Sequence, residues 1–401
     1  MLPVCVQPPG TPYPRGGHDL VEVAVFRGQL IRRNAAFQEQ PWCDLEYGGK
    51  AFLRAGACGN ANAEIVFWGE GERMRIQRPG FTRRLRQRLI AIAAATLLLP
   101  TLAVVSGTSM AGAVPKGGYE EVFVDSTMGP IKVQIQWAAR GGNAALYLLD
   151  GLRARDDKNA WSFETNALQQ FRRDNITLVM PVGGQSSFYS DWYAPSNING
   201  QKITYKWETF LTEELPAYLA TRGVSRSNNA VVGLSMGGSA ALTLAAYHKD
   251  QFKFAGSFSG YLNISAPGMR EAIRVAMLDA GGFNVDSMWG PPWSTAWLRN
   301  DPFVFAPLLR GTSLYISSGN GLMGEFDNPV GFVGSFNTST AMGLEAIALA
   351  NTRAFQLKMD SLGIPATYDF TNAGTHSWAY WAEELWKARP QILHALNAQW
   401  S

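Results

Sequence analysis

The sequence predicts an α/β fold in which a central, mostly parallel sheet carries helices on both faces, in a single domain with a small cap-like insertion. Three observations predict it. Short runs such as Ala144–Leu149, Ile176–Met180 and Ala230–Gly233 have the length and apolar composition of strands buried on both faces. These runs alternate with helical stretches, as expected when helices cover a parallel sheet. The 401 residues are 46% apolar and 12% aromatic, enough for a large core.

The elements follow in order. Tyr119–Asp125 and Ile131–Trp137 read as two strands joined through Gly129-Pro130, a connection suited to a hairpin. After Ala144–Leu149 and Ile176–Met180 comes a helix over Trp207–Arg222, closed by Gly223. Ala230–Gly233 leads through Ser235 into a helix of Ala, Leu and Gly over Met236–His248. Phe254–Phe258 and Ser313–Ser317 are two further strands. Between them, residues 260–312 hold Trp289, Trp293 and Trp297 among Pro and Gly and read as an inserted cap. A helix over Ala341–Leu362, a strand over Ala366–Phe370 and a last helix from Trp378 onward complete the chain.

The amino-terminal part has a different character. Arg83, Arg84, Arg86 and Arg88 precede an apolar stretch from Leu89 to Val105, and Ala111-Gly112-Ala113 then offers a small-residue cleavage site. This is the order of an export signal, with the mature chain starting near Val114 and an uncleaved anchor as the competing reading. Thr82-Arg83-Arg84 also partly matches a twin-arginine address. Residues 1–73 are rich in Gly, Pro and Arg, show no sustained helical or strand period and end at Met74. They read as an upstream extension outside the working protein, 74–113 as the signal and 114–401 as the functional domain. All three cysteines, Cys5, Cys43 and Cys58, precede the signal. The functional domain therefore has no thiol for a nucleophile, a metal site or a disulfide. A formal charge of +3 spread over 17% charged residues forms no basic stripe, which argues against nucleic acid as a partner.

Gly233-Leu234-Ser235-Met236-Gly237 fits G-x-S-x-G between a predicted strand and a predicted helix. That is the setting of the nucleophile elbow in α/β-hydrolases, where a strained turn lifts the serine to the edge of the sheet. A serine needs a base, and the chain has four histidines. His18 lies in the extension, His248 at the far end of the helix after Ser235, and His394 inside the last helix. His376, in the loop after the last strand, stands where the base of such an enzyme belongs. Topology sets the third member after Ser313–Ser317, at Glu325 or Asp327, with Glu345 and Asp360 as further options; spacing alone favours Asp327. The oxyanion hole needs two backbone N–H groups. Met236 supplies one, and the loop Leu149–Arg153 should supply the other. Asp150 and Arg153 of that loop are placed to bind hydroxyls of a polar substrate.

With these residues assembled, the chain from about Ala113 onward resembles the secreted mycolyltransferases of the antigen 85 type. The resemblance rests on LLDGLRA at Leu148–Ala154, MPVGGQSSFYSDWY at Met180–Tyr193, TYKWETFLTEELP at Thr204–Pro216, VVGLSMGGSA at Val231–Ala240, VDSMWGP at Val285–Pro291 and GTHSWAYW at Gly374–Trp381. It implies Glu345, not Asp327, as the acid, because Glu345–Phe355 matches the family's helical segment EGLTLRTNQTF in length and at both ends. It implies Leu152 as the second oxyanion donor, and Asp150, Arg153, Asn159 and Trp378 as trehalose contacts. Arg155 replaces a frequent Gln, and Ser318 replaces a Cys. The helix at Ala167–Arg173 lacks the aromatic pair of fibronectin-binding members, which leaves matrix adhesion unsupported.

The expected protein is thus an exported, envelope-associated acyltransferase with a Ser235, Glu345 and His376 triad. It needs no metal or organic cofactor and moves mycolyl groups from trehalose mycolates to trehalose or arabinogalactan. The Trp289–Trp297 segment is the expected cover of the acyl chain. Two other readings stand beside it: a secreted carboxylesterase or lipase that releases the acyl group to water, and a non-catalytic carbohydrate- or matrix-binding protein.

Overall fold

A computed structural model describes residues 116–399 and, upstream of them, six short strands. The main unit is built on eight strands: β1 (Tyr119–Val124), β2 (Ile131–Gln136), β3 (Ala144–Leu149), β4 (Ile176–Pro181), β5 (Asn229–Leu234), β6 (Phe252–Phe258), β7 (Ser313–Ser318) and β8 (Thr367–Phe370). Their order across the sheet is β8-β7-β6-β5-β3-β4-β2-β1. The β1–β2 and β2–β4 pairs are antiparallel and every other pair is parallel. The chain leaves β3 for β4 on one side and returns to β5 on the other, so the order reverses beside β3. Ligands of open α/β sheets bind outside the carboxyl ends of strands at such a switch point.

Every residue of β3, β4 and β5 is buried, which accounts for their uninterrupted apolar composition. Side chains alternate between two cores. In β3, Ala145, Tyr147 and Leu149 enter one core, while Ala144, Leu146 and Leu148 enter the other. The helices divide likewise. Helix α1 (residues 207–221), α2 (Met236–Tyr247) and α3 (Met269–Gly281) contribute to the first core. Helix α4 (Gly331–Ser361) adds Phe355 and Met359 to it. Helix α5 (Trp378–Ala395) sends Trp381, Leu385, Ala388 and Ile392, spaced along one face, into the second.

Three elements differ from the sequence reading. Helix α1 passes through a π-turn at Phe210–Glu214, directly before Pro216, whose ring and missing N–H disturb the regular ladder. Helix α4 begins at Gly331, ten residues before the predicted start, because Gly, Ser and Thr in its first turns are weak helix formers and mask its period. Within residues 260–312, where the sequence reading names no element, α3 is followed by short helices at Val285–Trp289, Thr295–Arg299 and Pro302–Phe305.

The upstream unit, read as lacking a strand period, holds an antiparallel pair, Ala24–Phe26 with Gln29–Ile31. It also holds a four-stranded antiparallel sheet of Cys43–Tyr47, Ala51–Ala55, Ile65–Gly69 and Glu72–Arg73. Strands of two to five residues are too short to print a period on the sequence. The export signal and its cleavage site, at residues 74–113, lie outside the described residues.

Steric closeness at the β5–α2 turn makes a direct prediction. A Cβ on Gly233 would stand 2.2 Å from the carbonyl oxygen of Gly237. Gly233→Ala should therefore destabilise the protein by about 1–3 kcal/mol or more, as overpacking of a rigid site does. An unchanged denaturant midpoint would show that the turn is not so tightly closed.

Candidate active site

Ser235 sits between β5 and α2 with φ 52° and ψ −120°, a conformation that costs a non-glycine residue about 1–3 kcal/mol. Its N–H donates to Phe258 O at 2.8 Å, tying the strained turn to the end of β6. The flanking glycines are required by closeness: a Cβ on Gly237 would lie 2.4 Å from Asp150 O. Gly151 packs on the other side of the same contact, where a Cβ would stand 2.9 Å from Leu234 Cδ1 and 3.7 Å from Ser235 Cβ. The loop after β3 is thereby pressed against the serine turn.

A second loop supports the first. Residues 183–189 carry Gly183 and Gly184 at positive φ, together with the non-glycine residues Ser186, Phe188 and Tyr189. Ser186 N donates to Leu152 O at 2.9 Å, and Asp150 N donates to the Tyr189 hydroxyl at 2.9 Å. The strained backbone of one loop thus fixes the backbone of the other at the Asp150 N–H and the Leu152 carbonyl.

His376 and Glu345 meet at this edge of the sheet. The imidazole Nδ1 lies 2.7 Å from Glu345 Oε2, and both side chains are buried. Oε1 of the same carboxylate accepts from Ser259 Oγ at 2.7 Å and from Gly319 N at 2.6 Å, and Ser318 Oγ lies 3.0 Å away. Burial pushes this carboxyl up, but the His376 contact and the Ser259 and Gly319 hydrogen bonds outweigh it and hold Glu345 below the usual range. The imidazole also packs edge-on against Trp381, with ring centres 4.9 Å apart, and beside Tyr261 at 6.1 Å.

The acids favoured by topology are elsewhere. Asp327 accepts from Thr375 Oγ1 at 2.6 Å, Tyr380 OH at 2.7 Å and Gly324 N at 2.9 Å, so it braces the loop that carries His376. Glu325 and Asp360 are exposed. His248 is paired with Glu208 at 2.8 Å.

Ser235, Met236, Leu152, Tyr261, His376 and Trp378 line one cavity of about 990 Å³. Met269, Ala272, Ile273, Val275 and Ala276 of α3 form an apolar wall, joined by Leu344 and Ile347 of α4. Polar groups also line the cavity, among them Asp150, Arg153, Glu164 and Asp279. Arg153 and Asp279 form an exposed ion pair that bridges the loop after β3 to α3.

Two sequence expectations are corrected. Asn159 is fully buried and absent from the cavity wall. Its amide donates to Leu148 O at 3.1 Å and Pro181 O at 2.8 Å, and its oxygen accepts from Trp161 N at 3.0 Å. With both donors spent on the ends of β3 and β4, it frames the site and is not free to touch a sugar. The Trp segment does not cover the cavity either. Trp289 and Trp297 are buried against each other, Trp293 is 83% exposed, and none of the three lines the cavity. The apolar wall comes from α3 and α4. Ser259, Tyr261, Phe163 and Glu164 went unnoticed in the sequence, and only Ser259 and Tyr261, following a strand that ends beside Ser235, carried a positional signal.

A sheet of this order, with a serine turn after its fifth strand, defines the α/β-hydrolase class. The profile of the family described as "Putative esterase" matches residues 125–392. Ag85B of Mycolicibacterium smegmatis, a diacylglycerol acyltransferase/mycolyltransferase, is 45% identical over 325 residues, covering 78% of this chain and 96% of the relative. Ag85C of Mycobacterium leprae, of the same description, is 43% identical over 327 residues, covering 79% and 95%. Among solved structures, MPT51 (FbpC1) of Mycobacterium tuberculosis superposes with a TM-score of 0.60 at 33% identity, covering 70% of this chain and 99% of that one. FphF, a fluorophosphonate-binding serine hydrolase of Staphylococcus aureus, shares the fold with a TM-score of 0.53 at 15% identity, covering 71% and 100%. The chain belongs to the Ag85 diacylglycerol acyltransferase/mycolyltransferase family.

Asp150 gives the site a pH signature. Burial pushes its carboxyl up to about 7, against the opposing hydrogen bonds from the Ala160 and Trp161 amides. A raised folded-state value means that the folded protein holds a proton the unfolded chain has released. Its stabilising effect is full below the usual 3.8 and is lost as pH rises through about 7. Wild type should lose stability relative to Asp150→Asn over that window, by at most ~1.4 kcal/mol per pH unit. Parallel urea-unfolding profiles for the two proteins would show that Asp150 stays ionised.

Proposed function

We propose that the chain is an exported acyltransferase that takes a mycolyl group from trehalose monomycolate onto Ser235 and passes it to trehalose or to cell-wall arabinogalactan. The observation that carries this reading is the buried Glu345–His376 contact of 2.7 Å, with His376 in one cavity wall with the strained Ser235. The acyltransferase activity of relatives at 40–45% identity supports the acyl chemistry.

In the first step His376 takes the proton of Ser235 as the hydroxyl attacks the ester carbonyl. Glu345 accepts from Nδ1, which fixes the tautomer whose Nε2 is the base and stabilises the imidazolium that forms. The amides of Met236 and Leu152 hold the developing oxyanion. His376 returns the proton to the departing trehalose oxygen, leaving an acyl-serine. An acceptor hydroxyl, deprotonated by His376, then attacks the acyl carbon and restores Ser235. Asp150, Arg153 and Trp378, all on the cavity wall, orient the sugars. The acyl chain lies against α3 and α4. Trehalose diesters and arabinogalactan at the cell envelope are the surroundings this chemistry implies.

Glu345→Gln should lower turnover by up to about 10⁴-fold, the scale on which an unguided imidazole fails. Asp327→Asn should act mainly on stability, since it loosens the His376 loop without touching the ring. The reverse order of effects would return the acid to Asp327. Transfer itself is read from products. Water at about 55 M is outcompeted when an oriented hydroxyl acts at an effective molarity of about 10⁵ M or more. Trehalose monomycolate with excess trehalose should therefore give mainly the diester, by mass spectrometry. Mainly free acid would reject transfer in favour of hydrolysis.

A further inference from the structure

The first half of α4 is an exposed helix surface without charge. Residues 328–344 form an uninterrupted stretch without a charged side chain, although 17% of the chain is charged. Phe332, Val333 and Phe336 are 86%, 69% and 63% exposed, and Val330, just before the helix, is 78% exposed. In the preceding loop Leu322, Met323 and Phe326 are exposed as well. Isolated exposed apolar residues are ordinary, but a contiguous cluster of this kind marks a contact surface.

Two further observations identify what it contacts. Three hydroxyls in this half of the helix turn inward to its own backbone. Ser335 donates to Gly331 O at 2.9 Å, Ser339 to Ser335 O at 2.9 Å, and Thr340 to Phe336 O at 3.1 Å. Back-bonding of this kind satisfies a polar group without water or a partner, as a helix in apolar surroundings requires. The exposed side chains also continue a stripe that enters the cavity. Steps of three and four residues lead from Phe332 through Phe336 to Thr340, Leu344 and Ile347, and the last three line the cavity shared with Ser235. The distance along the axis from Phe332 to Leu344 is about 18 Å.

We propose that the uncharged first half of α4 docks on the lipid layer that holds the acyl donor. Phe332, Val333 and Phe336 enter the acyl region, and the stripe conducts the donor's chain from that layer to the wall of Leu344 and Ile347. No described helix is long and apolar enough to cross a membrane; the contact proposed for α4 is interfacial. The proposal rests on the acyl-transfer reading only for the nature of the layer. Hydrolysis of a short soluble ester reports the chemistry separately.

The test uses the full chain and its Phe332→Gln/Phe336→Gln variant with phosphatidylcholine vesicles, with and without trehalose monomycolate. Amide exchange over residues 330–340 of the wild type should slow on adding vesicles, and the variant should lose that protection. Its turnover of vesicle-borne donor should fall about tenfold or more, from the two lost apolar contacts. Hydrolysis of p-nitrophenyl butyrate should be unchanged. Unaltered exchange of the wild-type segment on vesicles overturns the proposal, as does protection that follows protein concentration without vesicles, the mark of a second copy on this face. If the variant also loses soluble-ester activity, the wild-type exchange measurement decides alone.

Discussion

The carboxylate of Glu345 is the constraint around which the site is organised. A buried charge is tolerated only when it is paired and its lone pairs are occupied. Here four donors come from three places: Ser259 at the end of β6, Ser318 and Gly319 at the end of β7, and His376 after β8, while α4 carries the carboxylate itself. Loss of any one donor would leave the charge partly uncompensated. The carboxyl ends of three adjacent strands and the register of a long helix are therefore fixed together. Ser259 shows the cost of this arrangement: it holds a positive φ of 50°, and its hydroxyl both donates to Glu345 and accepts from Trp381 Nε1 at 2.9 Å. Trp381 in turn presents its ring to His376, so the indole that supports the serine also limits how the imidazole can tilt.

The other half of the site is governed by closeness. Gly233, Gly237 and Gly151 each leave room for a neighbouring backbone or side chain that a Cβ would strike. The result brings the start of α2 and the loop after β3 to the same spot beside Ser235. The loop at 183–189 then locks the arrangement through Ser186 and Tyr189, at the expense of three non-glycine residues in left-handed backbone. Strain here is concentrated at the switch point of the sheet, where a rigid β3–β5 framework, buried throughout, can hold it.

Much of the fold was legible because β3, β4 and β5 are buried on both faces, so their composition announces them. The serine turn was legible because its glycines are sterically required. Glu345 was not: it lies within a helix of 31 residues, whereas topology pointed to the loop after β7, and family resemblance alone singled it out. Asn159 and the Trp289–Trp297 segment misled for one shared reason. A sequence gives residue type without direction, and a buried Asn bonding two strand ends looks the same as one facing a sugar. The start of α4 was hidden because glycines and hydroxylated residues weaken the helical period there. These same residues leave the segment uncharged.

The cavity thus joins two solvents. Arg153 and Asp279, bridging the loop after β3 and α3, form an ion pair open to water, and such a pair contributes little to stability. It is therefore easily exchanged for hydroxyls of a sugar that offers comparable hydrogen bonds. The apolar part of the α3–α4 wall offers no such exchange: Ile273, Val275, Leu344 and Ile347 present no polar group to water or sugar. Along this wall a long acyl chain gains from burial roughly in proportion to its length. In the proposed reaction, the part of the substrate that leaves and is replaced meets the labile end of the cavity. The part that stays on Ser235 between the two steps meets the apolar wall. An acyl-enzyme held in this way survives the departure of one sugar and the arrival of the next, which is what separates transfer from hydrolysis.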